Sequence, residues 1–174
     1  MQSQSGFLNG LVTMVLVTVV IVWGVTSMTN GDPLWFLHRF DAQAEVMTIY
    51  WDGESYAVTP KDPGYDALME AFSRAIASPA GFEASVAFSE DGIARYQERY
   101  RLLEARFPEP VQVHTRHPFL EADTYLIPLS ESHARLGRIF AYPGRLPHTV
   151  GPLNMSEANF EALYRAAEAA VAAQ

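Results

Sequence analysis

Apolar positions are continuous at the start of the chain. No ionisable side chain occurs from Met1 to Gly31, and the run Leu11–Val25 is almost entirely apolar. Spanning the roughly 30 Å hydrocarbon core of a bilayer takes about 20 apolar residues in a helix. The segment of residues 7–28 has that length. Residues 1–31 are therefore predicted to form a transmembrane anchor.

Alternation of period two begins after this segment. Residues 45–51 and 54–59 alternate and flank Asp52-Gly53, a pair favoured in the type I′ turn of a two-residue hairpin. Four later stretches are also predicted as strands: Leu102–Phe107, Val111–Thr115, Thr124–Leu129 and Arg138–Tyr142. The prolines between the first two are expected to separate them.

Apolar residues recur at helical spacing in three segments, which begin near residues 63, 90 and 155. Asp62 is the predicted N-cap of the first helix, with Pro63 at its first position. Ser89 is the predicted N-cap of the second. Asn154 is predicted to cap the third, with Glu157 as the partner residue of a capping box.

The predicted element order after the anchor is β-β-α-α-β-β-β-β-α. Hairpins with helices between them indicate an α+β fold with a mostly antiparallel sheet and about three helices. Each helix has a single apolar face, so the helices are expected on one side of the sheet. The predicted organisation is an anchor at 1–31, a membrane-proximal interfacial linker at 32–44 and a soluble domain at 45–174.

An N-terminal apolar run is also typical of a cleaved export signal. The 15-residue apolar core and the Val25-Thr26-Ser27 sequence favour a signal, whereas the absence of basic residues before the core favours a retained anchor. We adopt the retained anchor. Small and polar residues near its start are expected to contact another membrane helix, and they are Gly6, Asn9, Gly10 and Thr13. A plain lipid-facing helix is the alternative.

Aromatic residues cluster where the anchor meets the domain. Trp23, Trp35 and Phe36 are predicted to lie at the membrane interface, where amphipathic aromatic side chains accumulate. The alternative is that Trp35 and Phe40 are the first core residues of the domain.

The side of the membrane on which the domain lies is predicted from opposing signals. Arg39 is the single basic residue before Lys61, and this slightly favours a cytoplasmic domain under the positive-inside rule. The signal-like core favours the other side. We expect a single-pass protein of the cell membrane with an extracytoplasmic domain.

Charge and composition exclude several function classes. All 12 basic and all 20 acidic residues follow Gly31, so the linker and the domain together carry the whole net charge of −8. This balance argues against binding to nucleic acid or docking on an anionic lipid surface. The chain has no cysteine, which excludes disulfides, thiolate nucleophiles and cysteine metal ligands.

Candidate chemistry is sparse. Four residues are weak candidates for metal ligands, namely His114, His117, Glu121 and Asp123. On a strand, the two histidines of this set would point to opposite faces, and a solvated loop explains the same residues. The other histidines, His38, His133 and His148, are scattered, and the chain has neither a nucleophile elbow nor a phosphate-binding glycine loop. No metal, cofactor or catalytic residue is therefore predicted.

Three sequence stretches carry a resemblance to other proteins: TIYWDGESYAVTPKDPGYDAL, EARFPEPVQVHT and TYLIPL. In these stretches the chain resembles a group of bacterial proteins that have an N-terminal anchor and no known activity. The resemblance implies the class of protein and no functional residue.

These features together favour a non-catalytic, single-pass accessory subunit of a larger integral membrane complex. Its expected partners are the integral membrane subunits of that complex and the lipid bilayer. The alternative is a membrane-anchored extracytoplasmic module that binds a small ligand or a metal.

Overall fold

A computed structural model describes residues 3–37, 39–115, 117, 121–143 and 149–174. Within these ranges the chain forms five helices and seven strands. In chain order they are α1 (Ser3–Asn30), β1 (Val46–Trp51), β2 (Glu54–Val58), α2 (Tyr65–Ala77), β3 (Gly81–Phe82), α3 (Glu90–Arg99), β4 (Leu102–Val111), β5 (Ala122–Pro128), α4 (Glu131–Ala134), β6 (Arg138–Tyr142), β7 (Val150–Asn154) and α5 (Glu157–Ala172).

The seven strands form one sheet in the order β2-β1-β4-β5-β6-β7-β3, and every neighbouring pair is antiparallel. The predicted α+β class is therefore confirmed, with the short α4 in addition to the three expected helices. The β1–β2 hairpin also forms as predicted. Asp52 and Gly53 have φ angles of 53° and 94°, as the two central residues of a type I′ turn require.

The helices cover both faces of the sheet, which corrects the expectation of a single covered side. Helices α2 and α5 pack on one face against residues such as Ile49 and Leu103. Helix α3 packs on the other face, where Leu102 and Phe140 lie under Ile93. Successive residues of a strand point to opposite faces, so Leu102 and Leu103 contribute apolar side chains to both faces of the sheet. Helices must therefore pack on each face to shield it from water.

The strand predicted at Val111–Thr115 does not form. Strand β4 instead runs through the prolines to Val111, and its register shifts between Arg106 and Val111. Pairing of β4 with β1 ends at Arg106, so Pro108 and Pro110 lie beyond the residues that pair with β1. Proline has no backbone N–H to donate, and it is tolerated where no hydrogen bond to a neighbouring strand is required. Strand β3 was not predicted because it has only two residues. Strand β7 was not predicted because it contains the Gly151-Pro152 pair.

Two predicted helix caps are wrong and one is confirmed. The Ser89 side chain accepts a hydrogen bond from the Gly92 N–H and caps α3 as predicted. Helix α2 begins after Gly64, which has a φ of 86°, whereas the Asp62 carboxylate accepts bonds from the backbone and hydroxyl of Thr59. The cap of α5 is Ser156, because Asn154 is the last residue of β7.

Candidate functional site at the helix–domain junction

The chain reverses direction at the end of α1. Gly31 has a φ of 67°, in the left-handed region that glycine adopts readily after a helix. The indole N–H of Trp23 donates to the carbonyl of Pro33 at 3.1 Å. Ten residues of continuous helix would separate these positions by about 15 Å. The segment after Gly31 therefore folds back along the last turns of the helix.

A buried carboxylate joins this segment to the domain. Asp32 is 3 % exposed, and its Oδ1 accepts a hydrogen bond from the Leu34 backbone N–H at 2.8 Å. The Nδ1 atom of His114 lies 3.2 and 3.1 Å from the two carboxylate oxygens. His114 follows β4, so the pair connects the end of the helix to the sheet. We call this arrangement the Asp32–His114 junction.

The predicted interface residues lie together beside this junction. Trp23 and Phe36 are 44 and 47 % exposed, and Trp35 is half-buried with its ring edge-on to Phe36. Leu34 and Leu37 are exposed in the same segment. Phe40, by contrast, is buried in the domain core. The segment thus presents an apolar surface next to the helix end, while the chain immediately after it enters the core.

One helix in the described part of the chain is long and apolar enough to cross a membrane, and it covers Leu8–Thr29. No residue of this range is buried against the rest of the chain. The predicted helix contacts Gly6, Asn9, Gly10 and Thr13 all lie in α1. The Thr13 hydroxyl donates to the Asn9 carbonyl at 2.9 Å, so this donor is used within the helix. A Cβ atom built on Gly10 would have no atom of the described chain within 4 Å.

The four weak metal candidates are dispersed. His114 pairs with Asp32, and the ring of His117 stacks on Phe82 with centroids 6.0 Å apart. Asp123 accepts a hydrogen bond from the adjacent Thr124 hydroxyl, and Glu121 is exposed. Among the described residues no three histidine or acidic side chains are grouped so that they could hold a metal ion. His38 and His148 lie outside the described residues.

His133 is isolated from other candidate residues in the sequence, but the fold places it in a charged cluster. The Arg138 guanidinium lies 2.7 Å from His133 Nδ1 and 2.7 Å from Glu83 Oε2. Burial, together with the charge of Arg138, lowers the pKa of His133. Hydrogen bonds from Asn154 and Arg138 lower the pKa of Glu83. These residues come from the loop after β3, α4, β6 and β7, so no local sequence signal could have grouped them.

A second group of polar residues, which no sequence pattern indicates, surrounds Glu104 on β4. Its side chain is 9 % exposed and contacts Tyr50, Gln97 and Arg106. Burial and the neighbouring carboxylate raise the pKa of Tyr50. Glu104 is in the middle of a strand with an alternating pattern, so the sequence predicts an outward, solvated position. Helix α3 covers that face and buries it.

Comparisons with protein-family models, with curated proteins and with solved structures found no match to this chain.

Proposed function

We propose that this protein is a single-pass accessory subunit of an integral membrane complex, with its domain on the extracytoplasmic side. The main support for the proposal is the exposure of the apolar helix. Leu8–Thr29 has no residue that is buried against the described part of the chain. An apolar helix of this length in water would expose far more hydrophobic surface than soluble proteins tolerate. Lipid or other membrane helices must cover it.

The start of the helix favours protein contacts over lipid alone. Gly10 leaves an open surface, and the Asn9 side chain is exposed with no hydrogen bond to the described residues. Small residues allow close helix packing, and an amide in an apolar environment gains from a partner across the contact. We place the contact with a neighbouring membrane helix on this side of α1.

The junction supports a fixed position for the domain. The Asp32–His114 pair and the Trp23–Pro33 bond hold the chain on both sides of Gly31. A domain held in this way would present the same surface to a partner subunit at a constant height above the membrane. No acid–base or nucleophilic role is assigned to any residue in this proposal.

Gly10→Leu tests the helix contact, with Val19→Leu as the matched control on the opposite side of the helix. No described residue obstructs a side chain at Gly10, so we expect a leucine there to disturb an external contact. The tagged full-length protein is purified from its native membrane in mild detergent. We expect an integral membrane protein in near-equal amount, retained by Val19→Leu and lost from Gly10→Leu.

Recovery of the wild-type protein alone would contradict the proposal and would leave the anchored binding module as the better function. Retention of the same partner by both variants would contradict the assigned face of α1. Protease digestion of intact spheroplasts tests the topology, since only an extracytoplasmic domain would be degraded.

A further inference from the structure

A cavity of about 270 Å³ lies between helix α3 and the face of the sheet on which it packs. Ile93, Ala94 and Leu126 form an apolar wall. The polar lining consists of Glu104 at the buried end, Thr124, Tyr142 and Gln97, with Glu90 and Arg106 exposed at the rim. A water molecule occupies about 30 Å³ in the liquid, so the cavity has room for fewer than roughly ten non-hydrogen atoms.

The hydrogen bonds of Glu104 leave one acceptor position open. Its Oε2 accepts from the Tyr50 hydroxyl at 3.2 Å and from Gln97 Nε2 at 3.3 Å. Its Oε1 accepts from Arg106 Nη2 at 2.9 Å. A carboxylate offers about four lone-pair sites, two on each oxygen. Among the described residues, therefore, Oε1 has room for one further donor.

The charge of this cavity favours a cation. Glu104 is buried, whereas the side chain of its one basic partner, Arg106, is 58 % exposed and its charge is largely screened by solvent. Glu90 adds a second negative charge at the rim. The Coulomb attraction between a buried carboxylate and a positive charge is stronger when that charge is also shielded from water. The described lining has two carboxylates and one guanidinium.

We propose that the cavity binds a small primary amine, with the ammonium group donating to Oε1 of Glu104. The Thr124 hydroxyl oxygen offers a second acceptor, because its hydrogen is donated to Asp123. The short hydrocarbon body lies against Ile93, Ala94 and Leu126. This binding site concerns the domain alone and does not depend on docking of the transmembrane helix.

Isothermal titration of the full-length protein in detergent micelles tests the proposal with n-butylamine as the probe. Its neutral and anionic counterparts, n-butanol and butyrate, are titrated at the same ionic strength. We expect saturable binding of one n-butylamine, and binding of the other two that is weaker by about tenfold or more, because only the ammonium forms a charge-assisted hydrogen bond. Absence of n-butylamine binding, or equal or stronger binding of n-butanol or butyrate, would overturn the proposal.

Two variants locate the site. Glu104→Gln removes the charge at nearly constant shape, and we expect affinity to fall by about tenfold or more. The matched control is Glu70→Gln, an exposed residue of α2 on the other face of the sheet, and it should bind as the wild type does. Ala94→Leu places a larger side chain in the cavity from an exposed helical position and should block binding with Glu104 intact. Full binding by both Glu104→Gln and Ala94→Leu would contradict this location.

Discussion

The Nδ1 atom of His114 lies 3.1 Å from Oδ2 of Asp32, although 82 residues separate the two in the chain. One residue follows helix α1 and the other follows strand β4. Their contact is a direct polar link between the two parts of the protein. We expect this contact to help hold the domain at the end of α1.

Replacing His114 with alanine should loosen this link. Asp32 would stay buried without its partner, and we expect unfolding to become easier by about 1–3 kcal/mol. Hydrogen exchange of residues 32–37 should become faster. Thermal unfolding in micelles and exchange mass spectrometry measure both effects.

A double-mutant cycle separates the pair from its surroundings. Asp32→Asn and His114→Ala should be non-additive, because each removes the same interaction. Asp41→Asn is the control, because both side chains of the Asp41–Arg39 ion pair are exposed to solvent. Additive effects of Asp32→Asn and His114→Ala would show that the junction does not couple these residues.

His133 should make stability dependent on pH. Its pKa is lowered in the folded protein, so the unfolded chain takes up a proton first as pH falls. The contribution of His133 to the free energy of unfolding is fully present above the ordinary histidine pKa of about 6.5. It decreases as pH falls from that value through the lower pKa of His133 in the folded protein. The slope for one proton is at most about 1.4 kcal/mol per pH unit.

The variant His133→Asn isolates this contribution. Its side-chain oxygen can accept the bond from Arg138, but it does not titrate. Urea unfolding in micelles between pH 7 and pH 5 should show a smaller decrease for the variant than for the wild type. Parallel curves would contradict the assignment of the proton to His133.

Gly151 should tolerate no larger residue. A Cβ atom there would lie 2.6 Å from the carbonyl oxygen of Glu83, which is backbone and cannot rotate away. Gly151→Ala should therefore force β7 away from the chain after β3, at a cost of about 1–3 kcal/mol. Gly81→Ala is the matched control, because its nearest contact is the Asn154 side chain at 3.7 Å. Equal melting temperatures for the two variants would contradict this close approach.

Arg101 should resist replacement by lysine. Its guanidinium lies 4.2 Å from the centroid of the Trp51 ring and donates to both carboxylate oxygens of Asp52 and to the Tyr164 hydroxyl. Lysine has no planar fork and cannot make this set of contacts. Arg101→Lys should lower the melting temperature more than Arg165→Lys, whose exposed partner is Glu161 on the same helix. The reverse order would show that the hairpin tip does not depend on the Arg101 contacts.

The sequence by itself determined the features that depend on near neighbours. The apolar length of α1, the Asp52-Gly53 turn and the Ser89 cap each follow from a few consecutive residues and their hydrogen-bonding or conformational limits. The alternation of apolar residues was also sufficient to predict the α+β class. The predicted caps at Asp62 and Asn154 failed because each side chain has a partner outside the helix, Thr59 in one case and Glu83 in the other.

Tertiary structure decided everything that depends on distant partners. Burial of Glu104 requires α3 to cross the second face of the sheet, and the pairing of Asp32 with His114 requires the chain to fold back at Gly31. The free energy of a buried charge depends on which groups surround it in space. Those groups come from separate elements, so the junction and the cavity are determined by how the elements pack.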